Sequence, residues 1–196
     1  MGRAVTLGGT RLPVVGAAGA APAPAGVERI AVVGLGAVGG SLAMALRRAW
    51  PGSLVIGIDT HEAVEAAIRL HAIDLGADDL MIAGDADLVV LAGGATEAAR
   101  VLPHLAGAIP RGATVLVLAA PEAVAGAAAA MPGRFAVVAG LPSLALSAPG
   151  IRAAAADLFL GRPWPLQRLS GSDDGLVKAA ALVRAAGADP GGLPRA

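Results

Sequence analysis

The stretch Ile30 to Asp59, IAVVGLGAVGGSLAMALRRAWPGSLVIGID, constrains the fold of this chain more than any other. An apolar run, Ile30 to Val33, leads straight into Gly34-Leu35-Gly36-Ala37-Val38-Gly39. Apolar residues then recur at helical spacing (Leu42, Ala43, Ala45, Leu46, Ala49), and a second apolar run, Leu54 to Ile58, ends on Asp59. The order is strand, glycine turn, helix, strand, acid, and dinucleotide binding asks for each part. The first glycine allows the tight turn, the second lets backbone approach a pyrophosphate, and the third lets helix and strand pack closely. The N–H groups opening the helix then face the phosphates, and the helix dipole favours negative charge there. Asp59, twenty residues after Gly39, stands where an acid accepts hydrogen bonds from an adenosine ribose. A glycine pattern alone is weak; the strand, helix, second strand and acid in register make it specific.

The rest of the chain repeats the alternation. A helix is expected from Thr60 or His61 to about Leu70, then a polar interval from Asp74 to Asp87 and a strand from Leu88 to Ala92. A helix near Ala95 to Leu105, a strand Thr114 to Leu118, a helix near Glu122 to Ala130 and a strand Phe135 to Ala139 follow. Beyond a loop with Pro142 and Pro149, the pattern predicts a helix Ile151 to Phe159 and a short strand near Trp164 to Leu169. Ser172, Asp173 and Asp174 suit the start of a last helix, to about Ala186. Continuous apolar runs indicate strands covered on both faces. Their alternation with helices gives a doubly wound, mostly parallel Rossmann-type α/β sheet with helices on both faces.

At 196 residues the chain suits one such domain. We expect a disordered Ala/Gly/Pro-rich leader over 1–26, the dinucleotide-binding domain over 27–187, and a flexible tail over 188–196. Arg3 and Arg11 precede an apolar stretch, Leu12 to Ala21, but Pro13, Gly16 and Gly19 interrupt it, which argues against a signal peptide. Acids and bases balance at 15 each, so charge makes no case for nucleic acid or an anionic membrane. Gly112 to Gly133 is long and apolar enough to need a membrane check, yet Pro121, Gly126 and Pro132 divide it; a buried strand and a helix explain it better. The absence of cysteine removes thiol nucleophiles and Cys-ligated zinc. His61, His71 and His104, the only histidines, lack metal-ligand spacing and read as solvated side chains, and the acids at Asp78, Asp79, Asp85 and Asp87 as loop residues; no metal site is expected. A cytoplasmic location fits.

From about Ile30 to Leu169 the chain resembles the nucleotide-binding domain of the prephenate/arogenate dehydrogenase family. The opening GLGAVGGSLAMAL looks like the family's glycine turn and first helix, and Ala156-Asp157-Leu158-Phe159-Leu160-Gly161-Arg162-Pro163-Trp164 looks like its ADLF-x-GRP-aromatic segment. The resemblance implies NAD(P)-dependent oxidative decarboxylation of prephenate or arogenate in tyrosine biosynthesis. It also implies an Asp, a Ser and a Lys in a turn after the strand Thr114 to Leu118, and a Gly-His-Pro segment after the next strand, whose His accepts the substrate proton as hydride leaves. Here Val117, Ala120 and Glu122 stand at the first three places and Leu141 at the histidine. Leucine has no lone pair, and losing a positioned general base costs about 10²–10⁴-fold. The family's helical dimer domain, with an arginine for a substrate carboxylate, has no counterpart in the sequence.

No catalytic residue is therefore assigned. The expected cofactor contacts are Gly34, Leu35, Gly36, Ala37, Val38, Gly39, Asp59, Thr60 and Gly93, the last at the end of the strand Leu88 to Ala92, where the family usually has Val-Pro. The carboxylate of Asp59 repels a 2′-phosphate and no arginine follows it closely, so NAD is favoured over NADP. Ser143 and Ser147, beyond Leu141, read as loop-capping hydroxyls without an activating base. Three readings remain open: an NAD(P)-binding protein with lost or reduced catalysis, an active oxidoreductase using a partner chain, a homodimer partner or another small acid, and a partial copy without a ligand.

Overall fold

The computed structural model describes residues 6–7, 10–11, 22–131, 133–144 and 148–191. Most of the expected leader, Ser147 and the end of the expected tail lie outside the described residues. Within the leader, β1 (Thr6–Leu7) and β2 (Thr10–Arg11) pair antiparallel.

The body is a seven-stranded sheet in the order β5-β4-β3-β6-β7-β8-β9. Its strands are β3 (Arg29–Val33), β4 (Leu54–Ile58), β5 (Leu75–Ala77), β6 (Leu88–Leu91), β7 (Thr114–Val117), β8 (Ala136–Ala139) and β9 (Gln167–Ser170). All pairings are parallel except that of β9 with β8. Five helices accompany them: α1 (Ala37–Ala49), α2 (His61–Arg69), α3 (Gly94–Ala108), α4 (Pro121–Ala129) and α5 (Asp173–Ala185).

The apolar strand runs divide between two cores as their period of two requires. Ile30, Val32, Leu88, Val90, Leu116 and Val138 face a core built with α1, α2 and α5 through residues such as Leu42, Leu46, Val64 and Leu182. Ala31, Val33, Val89, Leu91, Val115 and Val137 face the other, with Val101, Leu102 and Leu105 of α3 and Val124 of α4. The sheet is thus covered on both faces, as the unbroken apolar runs demand. The window Gly112 to Gly133 resolves into β7 and α4. No helix among the described residues is long and apolar enough to cross a membrane.

Three local expectations are corrected. The polar interval after α2 hides β5 and a 3-10 turn, Leu80–Ala83. Asp74 makes that edge possible: its carboxylate accepts from Val55 N–H at 2.8 Å and from Arg47 Nε at 2.8 Å, fixing the chain where it joins the sheet. The helix expected over Ile151 to Phe159 is only a 3-10 turn, Ile151–Ala153, followed by further turns. Ala154 is extended, and the next N–H, that of Ala155, donates to Ser41 Oγ of α1 at 2.8 Å instead of to a helical carbonyl.

The last strand starts later than expected, and it pairs antiparallel to β8. Pro163 and Pro165 flank Trp164, which is buried rather than laddered, and its N–H donates to Asp189 O at 2.7 Å. A parallel partner needs a crossover that returns the chain to the starting edge. Without a helix between β8 and β9 there is no such return, so β9 enters from the far edge and pairs antiparallel. Packing continues past the expected domain boundary at 187: Ala188 is buried, and Asp189 N–H donates to Arg162 O at 2.8 Å.

Candidate functional site: a crevice at the sheet switch point

Parallel strands bring their C-terminal ends to one edge of the sheet. That edge carries the glycine turn after β3, Asp59 after β4, Gly93 after β6, Ala120 after β7 and Leu141 after β8. The order reverses direction between β3 and β6, whose following helices lie on opposite faces. In open α/β sheets ligands bind in the crevice at such a switch point.

The three glycines of the turn are small for different reasons. Gly34 has φ +92° and would place a Cβ 3.1 Å from Gly93 N, so the turn and the end of β6 meet backbone to backbone. A Cβ on Gly39 would lie 1.8 Å from Gly34 O, so α1 could not approach its own turn. Gly36 differs. A Cβ there would meet nothing within 4 Å, and its φ of −69° suits any residue. Nothing inside the chain requires glycine at this place; what it keeps clear is the approach from outside.

Gly36 is also the N-cap of α1, and no side chain caps that terminus. The first turn of α1 contains no acid. The neighbouring α2 is capped by Thr60, whose hydroxyl accepts from Ala63 N–H at 3.4 Å. The open amides at Ala37, Val38 and Gly39 form an anion site by geometry and dipole. Ser41, fully buried, anchors this helix: its hydroxyl donates to Ala37 O at 2.5 Å while accepting from Ala155 N–H.

Asp59 is held in place beside the turn. Its Oδ2 accepts from Leu35 N–H at 2.6 Å and its Oδ1 from Thr60 N–H at 2.7 Å. Two backbone donors fix the carboxylate facing a cleft of about 350 Å³ bounded by Val33, Gly34, Ile58, Asp59 and Thr60 on the strand side. The opposite wall is α3, through Glu97, Arg100, Val101 and His104, with Asp78 and Leu80 closing the end. Asp59, Thr60, Asp78, Glu97, Arg100 and His104 share the lining with Val33, Ile58, Leu80 and Val101, a mixture that suits a small ligand with both apolar and hydrogen-bonding parts.

The structure thus gathers Gly34, Asp59, Thr60 and Gly93 around one crevice, with Leu35 to Gly39 along its glycine turn. Sequence reasoning missed the α3 wall. His104, within the helix expected over Ala95 to Leu105, lies on that wall, its Nδ1 2.9 Å from Arg100 O. The spacing 97, 100, 101, 104 is a helical face and was readable; that this face borders a cleft follows only from the strand order. His61 is exposed and pairs with Glu65 along α2 at 3.3 Å, and His71 takes a left-handed turn with φ 53°. No group of three or more metal-ligating side chains is found among the described residues.

Two hydrogen bonds tie down the chain just after β8. Gly140 O accepts from Trp164 Nε1 at 3.1 Å, and Ser143 N–H donates to Pro163 O at 3.1 Å. Trp164 is buried and stacks on Phe159, ring centroids 5.1 Å apart. Between these ties Leu141 is 55% exposed at the strand's end. Ala120 is the N-cap of α4 and Glu122 lies in its first turn, while Val117 is buried in β7.

A doubly wound sheet, an uncapped glycine turn at its switch point and a fixed acid on the next strand define a dinucleotide-binding domain of the dehydrogenase kind. The chain belongs to the family described as prephenate dehydrogenase, nucleotide-binding domain, whose model matches residues 42–189. Among solved structures it is similar to Synechocystis arogenate dehydrogenase, with 26% identity and a TM-score of 0.73 over 82% of this chain and 58% of that one. Prephenate dehydrogenase from Aquifex aeolicus is similar at 22% identity and TM-score 0.73, over 82% and 61% of the two chains. The A. aeolicus enzyme in complex with hydroxyphenyl propionate and NAD+ gives 22% and 0.74, over 82% and 58%. Alignment thus covers about three-fifths of the length of these dehydrogenases. No curated protein matches the sequence.

Proposed function

We propose that this protein binds NAD in the crevice beside Gly36 and Asp59 and carries out little or no hydride transfer of its own. The observation that carries the binding half is Gly36, a glycine that no internal contact requires, at the uncapped start of α1. The pyrophosphate lies over the amides of Ala37 to Gly39, and the ribose hydroxyls donate to Asp59. A fixed carboxylate there opposes a 2′-phosphate, which favours NAD over NADP. When bound, the nicotinamide supplies a hydride acceptor; the chain's own residues orient the dinucleotide and cover its adenosine end. A cytoplasmic location, where dinucleotides are abundant, goes with this reading.

The reduced chemistry rests on Leu141. The resemblance places the proton-accepting histidine there, and an exposed alkyl side chain at the end of β8 offers no lone pair. Ala120 and Glu122 likewise replace the hydroxyl and ammonium groups that the family's active-site turn carries. The second reading is an active prephenate dehydrogenase-like oxidoreductase, with a partner chain supplying the missing groups or a different small acid as substrate; the intact cradle favours keeping it in the test.

Calorimetric titration with NAD and NADP, paired with an absorbance assay for reduced nicotinamide in the presence of prephenate or arogenate, separates the readings. The expected result is saturable NAD binding without turnover. Turnover above that of a Gly34/Gly36 double variant selects the second reading, and no binding at millimolar dinucleotide removes both.

A further inference from the structure

We infer that Glu97 is a second determinant of cofactor choice, acting by engaging Arg100 in the adenosine cleft. This rests on the reading of the crevice as an NAD site. The cleft walls carry three carboxylates, Asp59, Asp78 and Glu97, against a single guanidinium, Arg100. Arg100 is the one group in that wall able to receive a 2′-phosphate bidentately. Arg100 Nη2 lies 3.4 Å from Glu97 Oε1, one turn earlier on the same helix face.

The glycine at 93 explains how Glu97 holds its position. A Cβ on Gly93 would lie 2.4 Å from Glu97 Oε2 and 3.1 Å from its Cγ. The carboxylate therefore lies against the bare backbone at the end of β6, where that backbone meets the glycine turn, while its side chain remains 46% exposed. Any side chain at 93 would push it away. Gly93 thus shapes the site indirectly, by making room for an acid that faces the same cleft as Asp59.

The two carboxylates oppose a 2′-phosphate from different walls. Asp59 accepts the ribose hydroxyls that NADP lacks in part, while Glu97 pairs with Arg100, the one arginine among the residues lining the cleft. The ion pair is an exposed one, and such pairs contribute little to stability, so removing it leaves the fold intact while freeing Arg100. The device concerns charge selection and not folding.

The test is a cycle of three proteins, wild type, Glu97→Gln and Glu97→Gln/Arg100→Ala, each titrated with NAD and NADP at low and moderate salt. Glu97→Gln is expected to raise the ratio of NADP to NAD affinity by about tenfold, the scale of one partly screened charge facing a phosphate. The added Arg100→Ala is expected to return the ratio to near the wild-type value. An unchanged ratio in Glu97→Gln, or an equal gain for both dinucleotides, overturns the inference. A gain that persists without Arg100 overturns it as well, since the freed guanidinium is then not the ligand. Wild type that binds neither dinucleotide instead defeats the NAD reading itself, which separates the two failures.

Discussion

Alanine at Gly36 should cost affinity and alanine at Gly39 should cost stability, although the two glycines are three residues apart in one turn. At Gly39 the new Cβ would stand 1.8 Å from Gly34 O, 3.0 Å from Gly34 C and 3.1 Å from Ala92 Cβ. Two of these neighbours are backbone, so relief requires α1 to move off the turn. Overpacking of this kind typically costs about 1–3 kcal/mol, with more where backbone must shift. At Gly36 the Cβ meets nothing. Alanine restricts the unfolded chain, which stabilises by about 0.4–1 kcal/mol, and it is a poorer N-cap than glycine by a similar amount. Those terms oppose each other, leaving Gly36→Ala within about 1 kcal/mol of wild type. Its methyl group, however, projects where a pyrophosphate must come against the backbone, so NAD affinity should fall at least about tenfold. Urea unfolding gives the stabilities and calorimetry the affinities. Gly36→Ala that binds NAD as tightly as wild type would refute the claim that this open face is the phosphate approach. Gly39→Ala as stable as wild type would refute the packing argument.

Three further outcomes follow from named contacts. Asp59→Ser should weaken NAD binding and narrow the gap to NADP; unchanged discrimination in paired titrations would show that Asp59 does not touch the ribose. Ser41→Ala removes the acceptor of the part-buried Ala155 N–H, and should lower urea stability by about 0.5–1.5 kcal/mol, the net worth of one such bond; no measurable loss would mean that the loop relaxes freely. Trp164→Phe keeps the ring stack on Phe159 but deletes the donor to Gly140 O. It should speed amide exchange at Leu141 and Ser143 more than at Leu35 to Gly39, and uniform acceleration would count against a local tie.

Much of this architecture was legible in the residues. Unbroken apolar runs demand strands buried on both faces, and Ile30 to Asp59 gives a glycine turn, helix and acid that land where dinucleotide physics puts them. What escaped was set by long-range contacts. β5 is three residues in a polar interval, and its place depends on Asp74 reaching Val55 and Arg47 across the chain. The alanine-rich run after Ile151 has helical propensity, but Ser41 takes the Ala155 N–H that a helix would have used. The cleft wall of Glu97, Arg100 and His104 shows as a helical face in sequence, yet only the order β3 beside β6 turns that face toward Asp59.

The tie between Trp164 and Gly140, and that between Ala155 and Ser41, belong to one short segment that touches both ends of the crevice. None of the segment's side chains lines the cleft described beside Asp59. It behaves as a spacer bar that fixes the distance between the phosphate cradle and the turn after β8. The Ala156 to Trp164 stretch therefore sets dimensions and contributes no side chain to that cleft. One end of that span is Ser41 beneath the glycine turn, and the other is Gly140, next to the exposed Leu141.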